Sequence, residues 1–266
     1  MSGWAFMWTT AVAIYGGCKW RTFREARAGG ASFAPGRAFG YLVAWPGMDA
    51  GAFLSSATRR AAPSRSQWIV AALKTLAGAT LIWVIARRAL PDRPLLAGWI
   101  GMAGMILVLH FGTFDLLSLG WQRVGVNAAP VMRSPLRSTS LAEFWGRRWN
   151  TAFHELATLF SYKPLRSIAG TAGATLLTFF VSGLIHELVI SVPAHGGYGM
   201  PTGYFVLQGL GVAGERSRRG RRLGLGRGVR GWLFMMLVVA GPVFWLFPPP
   251  FVRNVVLPML AAIGAA

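Results

Sequence analysis

Between Leu176 and Ile190 the chain runs through an apolar stretch long enough to enter a bilayer, and an adjacent ionisable pair, His186 and Glu187, interrupts it. A charged side chain at the centre of a membrane helix costs on the order of 2.5–3.5 kcal/mol on insertion scales, so such groups usually face a cavity and serve a function. An imidazole at that depth suits proton transfer. It equally suits a neutral histidine hydrogen-bonded within a helix bundle, and burial alone does not separate the two. Ser182 and Gly183 lie one turn earlier on the same face, offering a hydroxyl partner and room for a substrate to approach. Glu187 sits about 100° away around the helix, which assigns it a structural role, with an arginine as candidate partner.

Composition places this run in a membrane protein. Of 266 residues 54% are hydrophobic and only 13% charged, which is unlike a soluble domain of this length. The chain carries 27 Lys and Arg against 8 Asp and Glu. In a soluble protein that excess would suggest nucleic acid. Here the basic residues fall between apolar segments, as Arg21, Arg24 and Arg27 do, or Arg59 and Arg60, or Arg87 and Arg88. That is the pattern of loops touching anionic headgroups, and no nucleic-acid partner is expected. The single Cys18 excludes an intramolecular disulfide and any Cys-rich metal site. No basic n-region or cleavage site marks a signal peptide.

The expected fold is all-α and polytopic, one membrane-embedded domain over residues 1–266 with about eight membrane segments. These lie near 4–18, 38–54, 67–86, 95–113, 167–191, 199–213, 231–247 and 251–266. The segment 38–54, with Trp45, Pro46 and Gly47, reads as broken or re-entrant. Seven arginines from Arg216 to Arg230 mark a cytoplasmic loop, and counting back puts Arg133, Arg137, Arg147, Arg148, Lys163 and Arg166 on the same side. No internal repeat supports an inverted-repeat transporter.

Residues Ser138 to Lys163 differ from their surroundings. Ser140 followed by Glu143 fits a capping box. From there Trp145, Trp149, Ala152, Phe153, Leu156 and Phe160 recur at three and four, with Arg147, Asn150, Thr151 and His154 opposite. The spacing predicts one amphipathic helix at the membrane surface. It either anchors the protein or forms one wall of a reaction site. His154-Glu155 and His186-Glu187 lack the second histidine that a zinc-protease helix needs, since Thr158 and Ile190 stand there. His110 and Asp115 fit capping or salt bridges as well as a cavity wall. His195, in a glycine-rich stretch, reads as a turn.

Three stretches together resemble the wax synthase branch of the membrane-bound O-acyltransferase superfamily. They are Ser140 to Asn150 with its Phe-Trp-Gly-Arg-Arg-Trp-Asn run, Ser182 to Leu188, and more weakly Trp45 to Asp49. The resemblance covers the chain from about residue 40 on, with a motif-bearing core near 40–247, although the chain is shorter than eukaryotic wax synthases. It implies transfer of a fatty acyl group from acyl-CoA, as co-substrate rather than cofactor, to a lipid-soluble alcohol. It further implies that His186 is the general base and Asn150 the second active-site polar residue. Trp145, Arg147, Arg148, Trp149 and Ser182 follow as substrate-binding candidates, the arginines facing the CoA phosphates. No metal is implied. The competing class is a transporter or channel with a His186–Glu187 proton site, which leaves the capped aromatic-basic helix unexplained.

Overall fold

The computed structural model describes residues 1–30, 33–55 and 60–265; Arg59, in the second basic loop, lies outside them. Among the described residues the regular structure is helical throughout. Among these described residues four helices are long and apolar enough to cross a membrane: Arg65–Ala89, Pro94–Arg123, Thr151–Ala194 and Gly228–Leu246. The protein is a multi-pass membrane protein, and the remaining apolar segments fall in helices that are shorter, broken or more highly charged. The chain forms two compact units, Ala11–Met132 with Leu260–Ala266, and Arg133–Met259 with Met1–Thr10.

The first unit contains most of α1 (Gly3–Ala28), then α2 (Pro35–Ala44), α3 (Ala50–Leu54), α4 (Arg65–Ala89) and α5 (Pro94–Arg123). Segment 38–54 is broken where its Trp-Pro-Gly predicts, because proline removes a donor and disfavours helix in the residue before it. The break frees backbone carbonyls in an apolar setting, and side chains satisfy them. Tyr15 donates to Trp45 O at 2.9 Å, Tyr41 to Met48 O at 3.0 Å, and the buried Lys19 amine to Gly47 O. Tyr15 and Lys19 are one turn apart on α1, and the Lys19 ammonium lies 3.4 Å from the centre of the Tyr41 ring. Asp49 then caps α3 through Ala52 N at 2.8 Å. Further along, Asp115 of α5 pairs with Lys74 of α4 at 2.9 Å and so adopts the salt-bridge role, while His110 packs edge-on against Phe114.

The second unit carries the two stronger motifs, Ser140 to Asn150 and Ser182 to Leu188. It holds α6 (Leu141–Glu143), continuing as a wide π-helical turn Phe144–Arg148, α7 (Thr151–Ala194), α8 (Met200–Arg216), α9 (Arg218–Leu223) and α10 (Gly228–Leu246). The single amphipathic helix expected from Ser140 onward is two helices. Trp149 is extended and Asn150 left-handed (φ 43°, ψ 64°), so the chain turns a corner between them. The predicted capping box also forms only in part. Ser140 Oγ accepts from Glu143 N at 3.0 Å, but Glu143 takes Thr139 N–H at 2.8 Å, and the Leu141 and Ala142 N–H groups go to the Glu215 carboxylate at 2.7 and 2.9 Å. A partner from α8, distant in sequence, thus satisfies two first-turn amides that the local box leaves open.

At 44 residues α7 is about twice the length a bilayer needs, and it kinks at Gly170 (φ 65°, ψ −178°), a conformation open to glycine alone at little cost. The part after the kink, residues 171–194, spans roughly 36 Å at about 1.5 Å per residue, which suits the hydrocarbon core. His186 stands in this part.

Candidate active site

His186 ends the regular portion of α7, and the helix widens into a π-helical turn over Glu187–Ser191. Such turns occur often at functional sites because they rotate side chains out of register. The His186 Nδ1–H donates to Ser182 O at 2.7 Å. A carbonyl only accepts, so this bond puts the proton on Nδ1 and makes Nε2 the basic nitrogen of the neutral ring. Ser182 thus serves His186 through its backbone, not its hydroxyl, which bonds back to Thr178 O at 2.9 Å as helical serines do.

Aromatic rings enclose the imidazole. Phe205 of α8 lies 4.3 Å away between ring centres, and Phe153 meets it edge-on at 6.3 Å. Trp145 continues the wall, 5.8 Å from Phe205 and 5.9 Å from Phe179, with its indole N–H donated to Gln208 Oε1 at 3.2 Å. Gln208 is fully buried and gives its amide to Val238 O at 2.8 Å. Sequence reasoning passed over Phe205 and Gln208. A glutamine inside an apolar helix is a signal of the kind His186 gave, whereas one Phe among many carries none.

Asn150 caps the second piece of the motif, its Oδ1 accepting from Phe153 N at 3.2 Å. With the oxygen committed to the cap, the side-chain NH₂ is the donor end of the amide. Phe153 links the two candidate polar residues: its N–H meets Asn150 and its ring meets His186. Asn is suited to this position because it tolerates the left-handed region and caps helices well.

The other candidates occupy distinct settings. Arg148 is tied to Glu143 at 2.6 Å and to Arg133 O at 3.2 Å, while Arg147 is exposed. The Thr139 N–H bond, followed by Arg148, holds the Glu143 carboxyl below the usual carboxylate range. Trp149 stacks on Phe144 at 5.6 Å with the rings 11° apart, inside the apolar cluster of Leu141, Val212 and Met235. Trp149→Ala is therefore expected to cost about 2–3 kcal/mol, somewhat less than a fully buried tryptophan, before it touches chemistry. Thermal denaturation of the detergent-extracted variant checks this, and an unshifted midpoint refutes it. Glu187 finds a helix end and not an arginine: its Oε1 accepts from Gly199 N, Thr202 N and Thr202 Oγ1 at 3.0, 3.1 and 2.9 Å. His195 adopts a left-handed conformation (φ 51°) in the turn before α8, as its surroundings predict.

Residues 128–207 match the membrane bound O-acyl transferase family, and both Asn150 and His186 lie inside that match. The resemblance implied by the motifs holds. The Long-chain-alcohol O-fatty-acyltransferase of Simmondsia chinensis is 34% identical over 145 residues, covering 49% of this chain and 40% of that relative. Two Arabidopsis thaliana proteins follow the same pattern. Probable long-chain-alcohol O-fatty-acyltransferase 7 is 31% identical over 147 residues (49% of this chain, 42% of the relative). Probable long-chain-alcohol O-fatty-acyltransferase 8 is 36% identical over 103 residues (35% and 31%). The matches span about two fifths of the length of the first two relatives and less of the third.

Proposed function

We propose that this protein transfers a fatty acyl group from acyl-CoA to the hydroxyl of a lipid-soluble alcohol, with His186 as general base. The observation that carries the reading is the bond from His186 Nδ1–H to Ser182 O, which makes Nε2 the proton acceptor within an aromatic enclosure. In this reaction Nε2 takes the alcohol proton as the alcohol oxygen attacks the thioester carbonyl. The tetrahedral intermediate then collapses, the C–S bond breaks, and the proton on Nε2 passes to the departing thiolate. An ester and free CoA result, with no covalent enzyme intermediate.

Asn150 supplies the complementary group. Its NH₂ donates to the carbonyl oxygen as charge builds there, and its Oδ1 keeps the donor oriented by capping the helix. The apolar wall of Trp145, Phe153 and Phe205 suits an acyl chain and a long alcohol, as do the long-chain alcohols named in the relatives. Arg147 and Arg148 are the candidates for the CoA phosphates, and of the two the exposed Arg147 has the freer approach, since Arg148 is braced by Glu143. Trp149 and Ser182 support the site through packing and the backbone carbonyl. Incubating membranes that contain the protein with labelled acyl-CoA and a panel of alcohols tests the reading directly; no ester from any alcohol refutes it.

This chemistry places the acyl-CoA side where the arginines lie, in the cytoplasm. Near anionic lipid each basic residue contributes about 1 kcal/mol, so Arg216 to Arg230 should hold their loop there. Ser217 caps α9 through Gly220 N at 3.0 Å, which makes the exposed Arg222 the better labelling site. An Arg222→Cys protein in a Cys18→Ser background is expected to resist an impermeant thiol reagent in intact cells and to react once they are opened. Labelling from outside overturns the orientation.

A further inference from the structure

We infer that Glu187 is a positioning residue for His186, acting through the first turn of α8; the inference rests on the acyl-transfer reading above. Its Oε1 collects Gly199 N–H, Thr202 N–H and the Thr202 hydroxyl, all within 3.1 Å. A carboxylate at a helix N-terminus satisfies amides that lack partners within the helix and meets the positive end of the helix dipole. Here it does so from the residue next to the proposed base, and so pins α8 to α7 beside the imidazole.

Two further contacts show what the pin controls. Gly183 lies one turn before His186, and a Cβ there would come within 2.7 Å of Thr202 Cα, so the glycine lets the two helices meet backbone to backbone. Phe205, one turn after Thr202, lies against the His186 ring at 4.3 Å. The clamp at Thr202 and the close approach at Gly183 therefore fix the register of α8, and that register puts Phe205 over the imidazole. Backbone bonding to Ser182 sets the tautomer, and Phe205 sets the ring's orientation. A shift of about 1 Å at a reacting group can cost roughly 10²-fold in rate.

This role predicts that acceptor geometry at residue 187 governs turnover. Glu187→Gln keeps an oxygen at the reach of Oε1 and should retain kcat within about threefold, whereas Glu187→Asp keeps the charge but retracts the oxygen by roughly 1.5 Å. The Asp variant should lose about 10–100-fold in kcat with KM little changed. Rates are expressed per amount of monodisperse extracted protein, so that reduced yield does not enter. Carbethoxylation of His186 by diethyl pyrocarbonate, read by mass spectrometry, gives a second signal independent of ester formation, and it should be faster in Glu187→Asp than in the wild type. If Glu187→Asp does not fold, Thr202→Val removes one of the three bonds, and a several-fold fall in kcat is expected. Wild-type kcat or unchanged His186 labelling in the variant that folds overturns the inference. Absence of ester from the wild type instead sinks the acyl-transfer reading and leaves the labelling arm to judge the clamp.

Discussion

His186→Ala is expected to leave a protein that inserts and extracts normally while ester formation falls by about 10²–10⁴-fold, the range a positioned general base supplies. The fold should survive because the imidazole makes a local bond to Ser182 O and contacts two rings, and does not brace two helices through hydrogen bonds. Measured turnover per extracted molecule decides the matter, and wild-type turnover removes His186 from the mechanism. The wild-type rate should also fall on the acid side of roughly pH 8 to 5, because a protonated imidazole has no lone pair to accept the alcohol proton. Loss of fold is a different event. Glu143, with its carboxyl held below the usual range by Thr139 N–H and Arg148, contributes stability that is fully present above the ordinary carboxylate range. That contribution fades only as pH falls through the lowered value. Thermal stability that stays level while the rate declines would thus assign the decline to the base.

The second large effect is expected at Asn150, where the structure changes which substitution is informative. Asn150→Ala would confound two roles, since it removes a helix cap worth about 1 kcal/mol and puts a Cβ-bearing residue without side-chain compensation in the left-handed region. Asn150→Asp is the cleaner variant. It keeps Oδ1 for Phe153 N, tolerates the same backbone and favours a helix N-terminus, but it replaces the donor NH₂ with an acceptor. If the amide stabilises charge in the transition state, kcat should drop on the order of 10²–10³-fold with the melting temperature held or raised. An Asn150→Asp enzyme with near-normal turnover would return this corner of the chain to a purely structural role and leave His186 as the only group supported at the site.

Much of this site is legible in residue order because its signals are local. A histidine inside a run of Leu, Phe, Val and Ile stands out against the cost of placing it there. The aromatic-basic stretch before Asn150 has its own helical spacing, and Trp45-Pro46-Gly47 announces a broken helix that the structure contains. The long apolar helices follow from hydropathy and length, which need no knowledge of neighbours. The same locality explains where the reading stopped. Periodicity carried one helix across Trp149 and Asn150, because a three-four pattern continues undisturbed through a corner that leaves the apolar face on one side.

Tertiary contacts decided the rest. The Ser140–Glu143 box closed on one side only, with the Glu143 carboxylate on Thr139 N–H, and Glu215, seventy-odd residues on, took the Leu141 and Ala142 N–H groups that such a box leaves open. Glu187, for which an arginine was the expected partner, instead capped α8, a helix whose position no local pattern discloses. Sequence by itself determined that this chain carries membrane-spanning helices and marked His186 and Asn150 as its candidate site residues, since insertion cost and motif order act along the chain. Which nitrogen of His186 is basic, which ring covers it and which end of the Asn150 amide the helix cap occupies were decided only by packing, because each depends on a partner brought close by the fold.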